Sequence, residues 1–248
     1  MNLFSDYKNN DNLPFLIPLR DGYSIKWNDS LKGYDIKIPH GELFYAKDFF
    51  DTKISDRSVE YFLENDTIDS NIKNYREFEK DKLQSIQFKN ILWQHDKILM
   101  FGKEIYVPRY SAWYGDENIS YTYSGITFQA KKWNKGLLYI KQKIEETLNL
   151  KFNSVLLNWY RDGDDHMGWH ADDEKELGKN PIIASVNFGE ERDFLIKSNK
   201  TDEKITIPLK HGTLLIMSGE IQHHWKHSVP KRKKRKNARF NLTFRTIK

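Results

Sequence analysis

The chain has 248 residues, enough for one domain of ordinary size, with 14% aromatic residues and a formal charge of +5. It has no cysteine, which excludes a disulfide framework and a thiolate metal site and fits a reducing, intracellular compartment. The opening MNLFSDYKNN lacks a charged-then-apolar leader pattern, and no apolar run reaches the length of a membrane span, so neither secretion nor membrane insertion is expected.

Residues 1–35 are polar with short apolar clusters and read as an arm packed on a main domain of residues 36–248. Residues 41–50 lead into a helix expected near 55–65, and the charged stretch 69–84 reads as a second helix or an insertion. Strand-like segments follow at 88–93 and 98–101. Trp133, Leu137, Ile140, Ile144 and Leu148 have helical spacing. Beyond Phe152 the pattern turns to strands, at 155–160, 182–188, 193–197, 204–209, 213–217 and 239–245. Short strands with Gly and Pro turns predict a mainly β fold with flanking helices, a sandwich or jelly roll.

Charge is distributed unevenly. From residue 221 onward there are ten Lys/Arg and no Asp or Glu, so that segment carries +10 and the preceding 220 residues carry −5. The density peaks at Lys231, Arg232, Lys233, Lys234, Arg235 and Lys236. Such a run is usually a solvated loop or a nuclear-import signal; beside an active site it reads as a clamp on a phosphate backbone.

His170 and Asp172 are two residues apart, so extended backbone sends both side chains to one face. Two imidazoles and one carboxylate, completed by His227, form the facial triad of non-haem Fe(II) oxygenases and leave coordination positions open. His223 and His224 compete with His227 on sequence alone. In the final strand Arg239, Asn241, Thr243 and Arg245 alternate with Phe240, Leu242 and Phe244. Two guanidiniums on one face of a buried strand need an anion or a structural ion pair, and a dicarboxylate such as 2-oxoglutarate would serve.

These motifs resemble the AlkB family of nucleic-acid dealkylating dioxygenases. The likeness is carried by Asn158-Trp159-Tyr160-Arg161-Asp162-Gly163, by Gly168-Trp169-His170-Ala171-Asp172-Asp173-Glu174, by Trp225-Lys226-His227-Ser228-Val229-Pro230 and by the Arg239–Arg245 strand. It covers about 41–248, least well at 69–84. The resemblance implies a double-stranded β-helix core at about 152–248, preceded by a nucleotide-recognition lid at about 98–128. It also implies Fe(II) with 2-oxoglutarate and O2 as co-substrates. His170, Asp172 and His227 would hold iron. Arg239 would meet the distal carboxylate, Arg245 would sit nearer Asp172, and Asn158, Tyr160, Asn241 and Thr243 would complete the co-substrate site.

Phe101, Gly102, Lys103 and Arg109 resemble the loop by which the duplex-DNA repair branch enters the base stack, an apolar wedge being a known way to fill a vacated position. Tyr121, Thr122, Tyr123 and Ser124 resemble the lid over the flipped base, and Asp173 and Glu174 could meet its exocyclic amine or positive charge. The expected activity is demethylation of 1-methyladenine or 3-methylcytosine type lesions in double- or single-stranded DNA, by a monomer. The expected setting is the nucleus of a eukaryote or the cytoplasm and nucleoid of a bacterium. Rival readings are an RNA demethylase of the same fold, a non-catalytic nucleic-acid binder, and a protein or small-molecule hydroxylase.

Overall fold

The computed structural model describes residues 7–8, 13–18, 20–66, 83, 86–100, 102–123 and 126–248; at 7–8, 99–100, 103, 121–123 and 126–128 only the backbone is described. The stretch 69–84, expected as a helix or an insertion, lies outside the described residues except Leu83.

Two sheets form the core. The major sheet has nine strands in the order Lys131–Lys132, Tyr110–Gly115, Ser154–Tyr160, Arg239–Arg245, Ile183–Gly189, Leu214–Gly219, Gly41–Ala46, Gly33–Ile38 and Ser24–Asn28. The minor sheet orders Met167–His170, Trp225–Val229, Arg192–Ser198 and Lys204–Leu209. From Ser154 onward the chain passes back and forth between the two sheets, except that Arg192–Ser198 and Lys204–Leu209 form a hairpin within the minor one, the connectivity of a jelly roll.

Alternation divides the apolar residues between two cores. On the outer face of the major sheet, Phe240, Leu242 and Phe244 pack with Val155, Leu157, Trp159, Val186 and Phe188 beneath the helices Thr52–Leu63 and Lys135–Leu148. The first helix starts where the Asp51 carboxylate accepts from the Ile54 amide at 2.8 Å, and it drives Phe62 into this layer. The second is capped by Asn134, buries Leu137, Ile140 and Ile144, and ends at Asn149 in the left-handed region. Each such side chain stabilises the layer by about 1.5–3 kcal/mol. Between the sheets, Tyr160, Ile183, Phe194, Ile196, Leu215, Met217, Trp225 and Val229 form the second core. The strand Arg239–Arg245 is buried along its whole length because both faces are covered.

The expected strand at 88–93 does not form; that stretch makes only the isolated bridge Phe88–Asn65. Its aromatic residues serve packing instead: Trp93 lies 5.6 Å from Trp159, and its indole nitrogen donates to the Phe62 carbonyl. Gly33–Ile38 and Ser24–Asn28 belong to the major sheet, so the sheet continues across the arm–domain boundary expected after residue 35. Residues 98–128 divide similarly. Tyr110–Gly115 lies in the major sheet, whereas Lys97–Met100 with Lys103–Tyr106, and Ser120–Tyr123 with Ile126–Gln129, form separate two-stranded sheets.

Candidate active site

His170 and His227 are register partners across the antiparallel strands Met167–His170 and Trp225–Val229, with ring centroids 4.2 Å apart. Alternation along Trp225–Val229 turns His227 inward with Trp225 and Val229, where Phe194 stacks on it at 5.1 Å. Asp172 lies beyond the end of its strand, so the shared face of an extended triplet is not what places it. Gln222 does: its Oε1 accepts from the Asp172 amide at 2.9 Å. One ligand atom from each of His170, Asp172 and His227 lies within 4.8 Å of the others.

The protonation pattern suits a divalent cation. His170 Nδ1 is 2.9 Å from the Gly168 carbonyl. A carbonyl can only accept, so Nδ1 donates and Nε2 is the nitrogen left to meet an ion. Burial pushes the His227 imidazole down to about 3, assisted by His170 and only partly offset by Asp172. Burial alone would raise the Asp172 carboxyl, but Arg245, His227 and His170 outweigh it and hold the group below the usual carboxylate range. Two imidazoles, that of His227 held neutral by burial, and one carboxylate therefore come together, with Arg245 Nη2 donating to Asp172 Oδ1 at 2.7 Å.

The same cavity holds an unmatched cation. Arg239 is 1% exposed, and its guanidinium carbon is 4.9 Å from the Tyr160 ring centroid. Nη2 donates to Asn187 Oδ1 and Tyr160 stabilises the charge from the side, while Nε and Nη1 have no well-aligned hydrogen-bond partner among the described residues. Burial pushes the guanidinium down to about 10. An uncompensated buried charge costs several kcal/mol, so the site is built to receive an anion. Asn241 Nδ2 donates to Ser185 Oγ at 2.8 Å, Thr243 donates to Asn241 Oδ1 at 3.1 Å, and Asn158 Oδ1 accepts from Arg109 Nε at 2.8 Å. Asn158, Tyr160, Arg239, Asn241, Thr243 and Arg245 all line this one cavity with the triad.

The cavity continues past Glu174 to Asp96, Ile98, Arg109 and Trp113. Glu174 Oε2 is buried without a partner among the described residues, whereas Asp173 is exposed. The pair is thus split between cavity and solvent. Met100 pairs with Lys103 across a tight turn in which Gly102 takes φ +75°. Phe101 and Ser124 lie outside the described residues, and the side chains of Lys103, Tyr121, Thr122 and Tyr123 are not described. His223 faces Lys179 and Asn180 at the surface, away from the triad.

The basic loop departs from a uniform clamp. Arg232 donates to Asp193 at 2.6 Å, and Arg235 pairs with Glu190 and Glu191 at 3.1 and 3.4 Å. Lys231, Lys233, Lys234 and Lys236 are exposed and form no ion pair among the described residues. Gly163 anchors the loop: its amide donates to the Arg235 carbonyl, and a Cβ there would stand 1.8 Å from the Arg232 carbonyl oxygen.

Ser185, Asn187 and Arg192 fall in the stretches 181–188 and 192–194 that continue the family likeness but are not marked there as site residues, and Gln222 carries no signal at all. Arg192 is buried and donates to the carbonyls of Asp162, Asp165 and Pro230, tying the loop before His170 to the end of the His227 strand. A cationic row is equally silent in the sequence. Lys197 is the register partner of both Lys226 and Lys204, and the Lys197 and Lys204 ammonium groups lie 4.5 and 5.5 Å from the exposed Trp169 ring. Like charges directly opposite destabilise a sheet unless something anionic compensates them. Only the alternation of Trp169 with His170 hints at this outer face.

A jelly roll in which a half-buried His170 joins buried Asp172 and His227, with a buried arginine in the same cavity, defines a non-haem metal oxygenase scaffold. The chain belongs to the 2OG-Fe(II) oxygenase superfamily, whose model matches residues 68–245. Alpha-ketoglutarate-dependent dioxygenase alkB homolog 3 of Bos taurus is 45% identical over 150 residues, 56% of this chain and 52% of that protein. DNA oxidative demethylase ALKBH2 of Mus musculus is 43% identical over 159 residues, 61% of this chain and 66% of that protein. The protein of the same name from Arabidopsis thaliana is 37% identical over 186 residues, 64% of this chain and 59% of that one. The chain therefore spans about half to two thirds of the length of these curated relatives.

The residues present fit both groups that the superfamily name implies. The three ligand atoms suit Fe(II), and the partnerless Arg239 nitrogens suit the far carboxylate of 2-oxoglutarate.

Proposed function

We propose that this chain oxidatively demethylates N-alkylated bases in DNA, of the 1-methyladenine and 3-methylcytosine type, releasing formaldehyde, succinate and CO2. One observation carries the reading. A single cavity joins the His–Asp–His triad, the two partnerless nitrogens of Arg239 and the orphaned carboxylate oxygen of Glu174. The names of two relatives, DNA oxidative demethylases, supply the substrate class.

Bound Fe(II), with 2-oxoglutarate and O2, supplies the oxidising power that hydroxylates the N-methyl carbon. The chain's own groups position and neutralise. His170, Asp172 and His227 hold the ion, and Gln222 and Arg245 fix the carboxylate. Arg239 anchors the diacid, with Tyr160 beside it and the hydrogen-bonded series of Thr243, Asn241 and Ser185 along the cavity wall. Glu174 faces the methylated base, whose positive charge and exocyclic amine suit a carboxylate that has no other partner. A methyl on the pairing edge is hidden in a duplex, so the base must leave the stack; Phe101 is assigned the wedge and Tyr121 and Tyr123 the lid. Lys231, Lys233, Lys234 and Lys236 hold phosphates.

The test is anaerobic loading with Fe(II) and 2-oxoglutarate, then O2, and mass spectrometry of oligonucleotides carrying either lesion as single-stranded DNA, duplex DNA and RNA. Loss of one methyl from DNA with matching succinate is the expected result. Turnover on RNA alone would transfer the assignment to RNA, and no succinate at all would leave a binding protein.

A further inference from the structure

Away from the active-site cavity, a second set of metal-binding donors converges where a hairpin turn meets a short helix. Ile38 pairs with Gly41, so Pro39 and His40 form a two-residue connection. His40 takes φ +60°, a conformation that glycine or asparagine usually fills. Glu220 precedes the helical turn Ile221–His224, and His224 is its last residue. His40 Nδ1 and His224 Nε2 lie 3.4 and 3.6 Å from the same oxygen, Glu220 Oε2, and the three ligand atoms fall within 4.8 Å of one another. The two imidazoles stack with centroids 3.9 Å apart and planes 12° from parallel.

The two elements are docked closely enough to keep these donors together, and one ring has to turn out of the stack for both lone pairs to meet one ion. A Cβ at Gly41 would stand 3.0 Å from Ile221 Cβ, so any larger residue would have to push the helical turn away by a few tenths of an ångström. Gly41 is also the register partner of Gly219, and Trp225 Nε1 donates to the Pro39 carbonyl at 2.8 Å.

We propose that His40, Glu220 and His224 form a binding site for a divalent transition-metal ion of the Zn2+ class, separate from the His170–Asp172–His227 centre. Two imidazoles and a carboxylate match the donors that Zn2+ takes, with a fourth position left to water. Ca2+ and Mg2+ prefer all-oxygen shells and are poorly served by this set. The site is partly exposed, so it loads and empties without unfolding. Its helical turn carries Gln222, which holds the Asp172 amide, and it leads directly into the His227 strand. Occupancy therefore braces the support of the active site.

The test is equilibrium dialysis of the chelator-stripped full chain against ZnCl2 with elemental analysis. Wild type should bind two Zn2+ per chain and H224A one. H170A/H227A should retain one, and adding H224A to it should leave none. H40G suits the turn's left-handed backbone, so it should fold as well as wild type while weakening this Zn2+ by at least about tenfold. A single equivalent in wild type, or unchanged stoichiometry on adding H224A to either background, overturns the proposal. Neither outcome bears on the demethylase reading, which does not depend on these three residues.

Discussion

Arg245 Nη2 donates to Asp172 Oδ1 at 2.7 Å, and both side chains are more than nine-tenths buried. This hydrogen bond leaves Oδ2 as the oxygen nearer His227, at 3.7 Å from Nε2, and so fixes which face of the carboxylate meets the ion. Arg245→Ala should weaken Fe(II) binding by about 10–100-fold, the usual cost of removing a group that orients a metal ligand. It should also lower stability by roughly 3–5 kcal/mol through the stranded carboxylate. Anaerobic Fe(II) titration and denaturant unfolding measure the two effects. Unchanged iron affinity would assign Arg245 elsewhere.

Arg239 is expected to act on the diacid and not on the metal. Arg239→Ala should raise the 2-oxoglutarate concentration for half-maximal turnover by about 10–100-fold, the equivalent of roughly 1.5–3 kcal/mol for a charge-assisted hydrogen bond. Fe(II) affinity without 2-oxoglutarate should hardly change. Titrating each group separately distinguishes the two roles, and equal loss of both would count against the anchor.

The metal-stripped protein should be sensitive to mild acid. His227 titrates near 3 when folded, against an ordinary value of 6.5. Below 6.5 the unfolded chain binds a proton that the folded one refuses, so stability is full above that value and falls as pH drops towards 3. Between pH 6.5 and pH 5 the loss is roughly 2 kcal/mol from this group. Asp172, held low, adds its own loss at more acidic pH, starting as pH falls through the ordinary aspartate value of 3.8. Urea unfolding at pH 7 and pH 5 measures the slope. His227→Asn should flatten it; an unchanged slope would mean that another group titrates.

Glu174 and Asp173 should separate cleanly. Glu174→Gln should lower turnover on methylated DNA while leaving Fe(II) and 2-oxoglutarate binding intact, because its free oxygen faces the cavity. Asp173→Asn, at the surface, should change little. Steady-state kinetics on one methylated oligonucleotide decide this, and equal effects would remove Glu174 from the base site.

The basic loop should show two behaviours. Replacing Lys233 and Lys234 by Ala should weaken DNA binding and reduce the salt slope by about one for each phosphate that is no longer neutralised. Arg232→Ala should mainly loosen the loop, since its guanidinium is held by Asp193. Fluorescence anisotropy across a salt series compares them. An identical slope in the lysine variant would place the DNA elsewhere, the Lys197, Lys204 and Lys226 row being the next candidate.

Much of this is legible in the sequence because it obeys a strict period. The Arg239–Arg245 strand announces two faces by alternating arginines and amides with aromatic residues, and both faces are used. Gln222, Ser185 and Asn187 are opaque for the opposite reason. Ser185 and Asn187 are polar residues in an apolar strand that only the register against Thr243 and Asn241 reveals, and Gln222 is revealed only by its hydrogen bond to the Asp172 amide. Ser24–Asn28 escapes a sequence reading because an edge strand with few buried side chains carries little hydrophobic signal. The pairing of Arg235 with Glu190 and Glu191, more than 40 residues earlier, has no local signature at all.

The most direct test of the central claim is visible absorption under anaerobic conditions as 2-oxoglutarate is added to the Fe(II)-loaded protein. A chelating keto acid on Fe(II) gives a charge-transfer band. That band should appear in wild type, require far more 2-oxoglutarate in Arg239→Ala, and vanish in His227→Ala. The same band at the same concentrations in His227→Ala would contradict convergence of the three side chains on one ferrous ion.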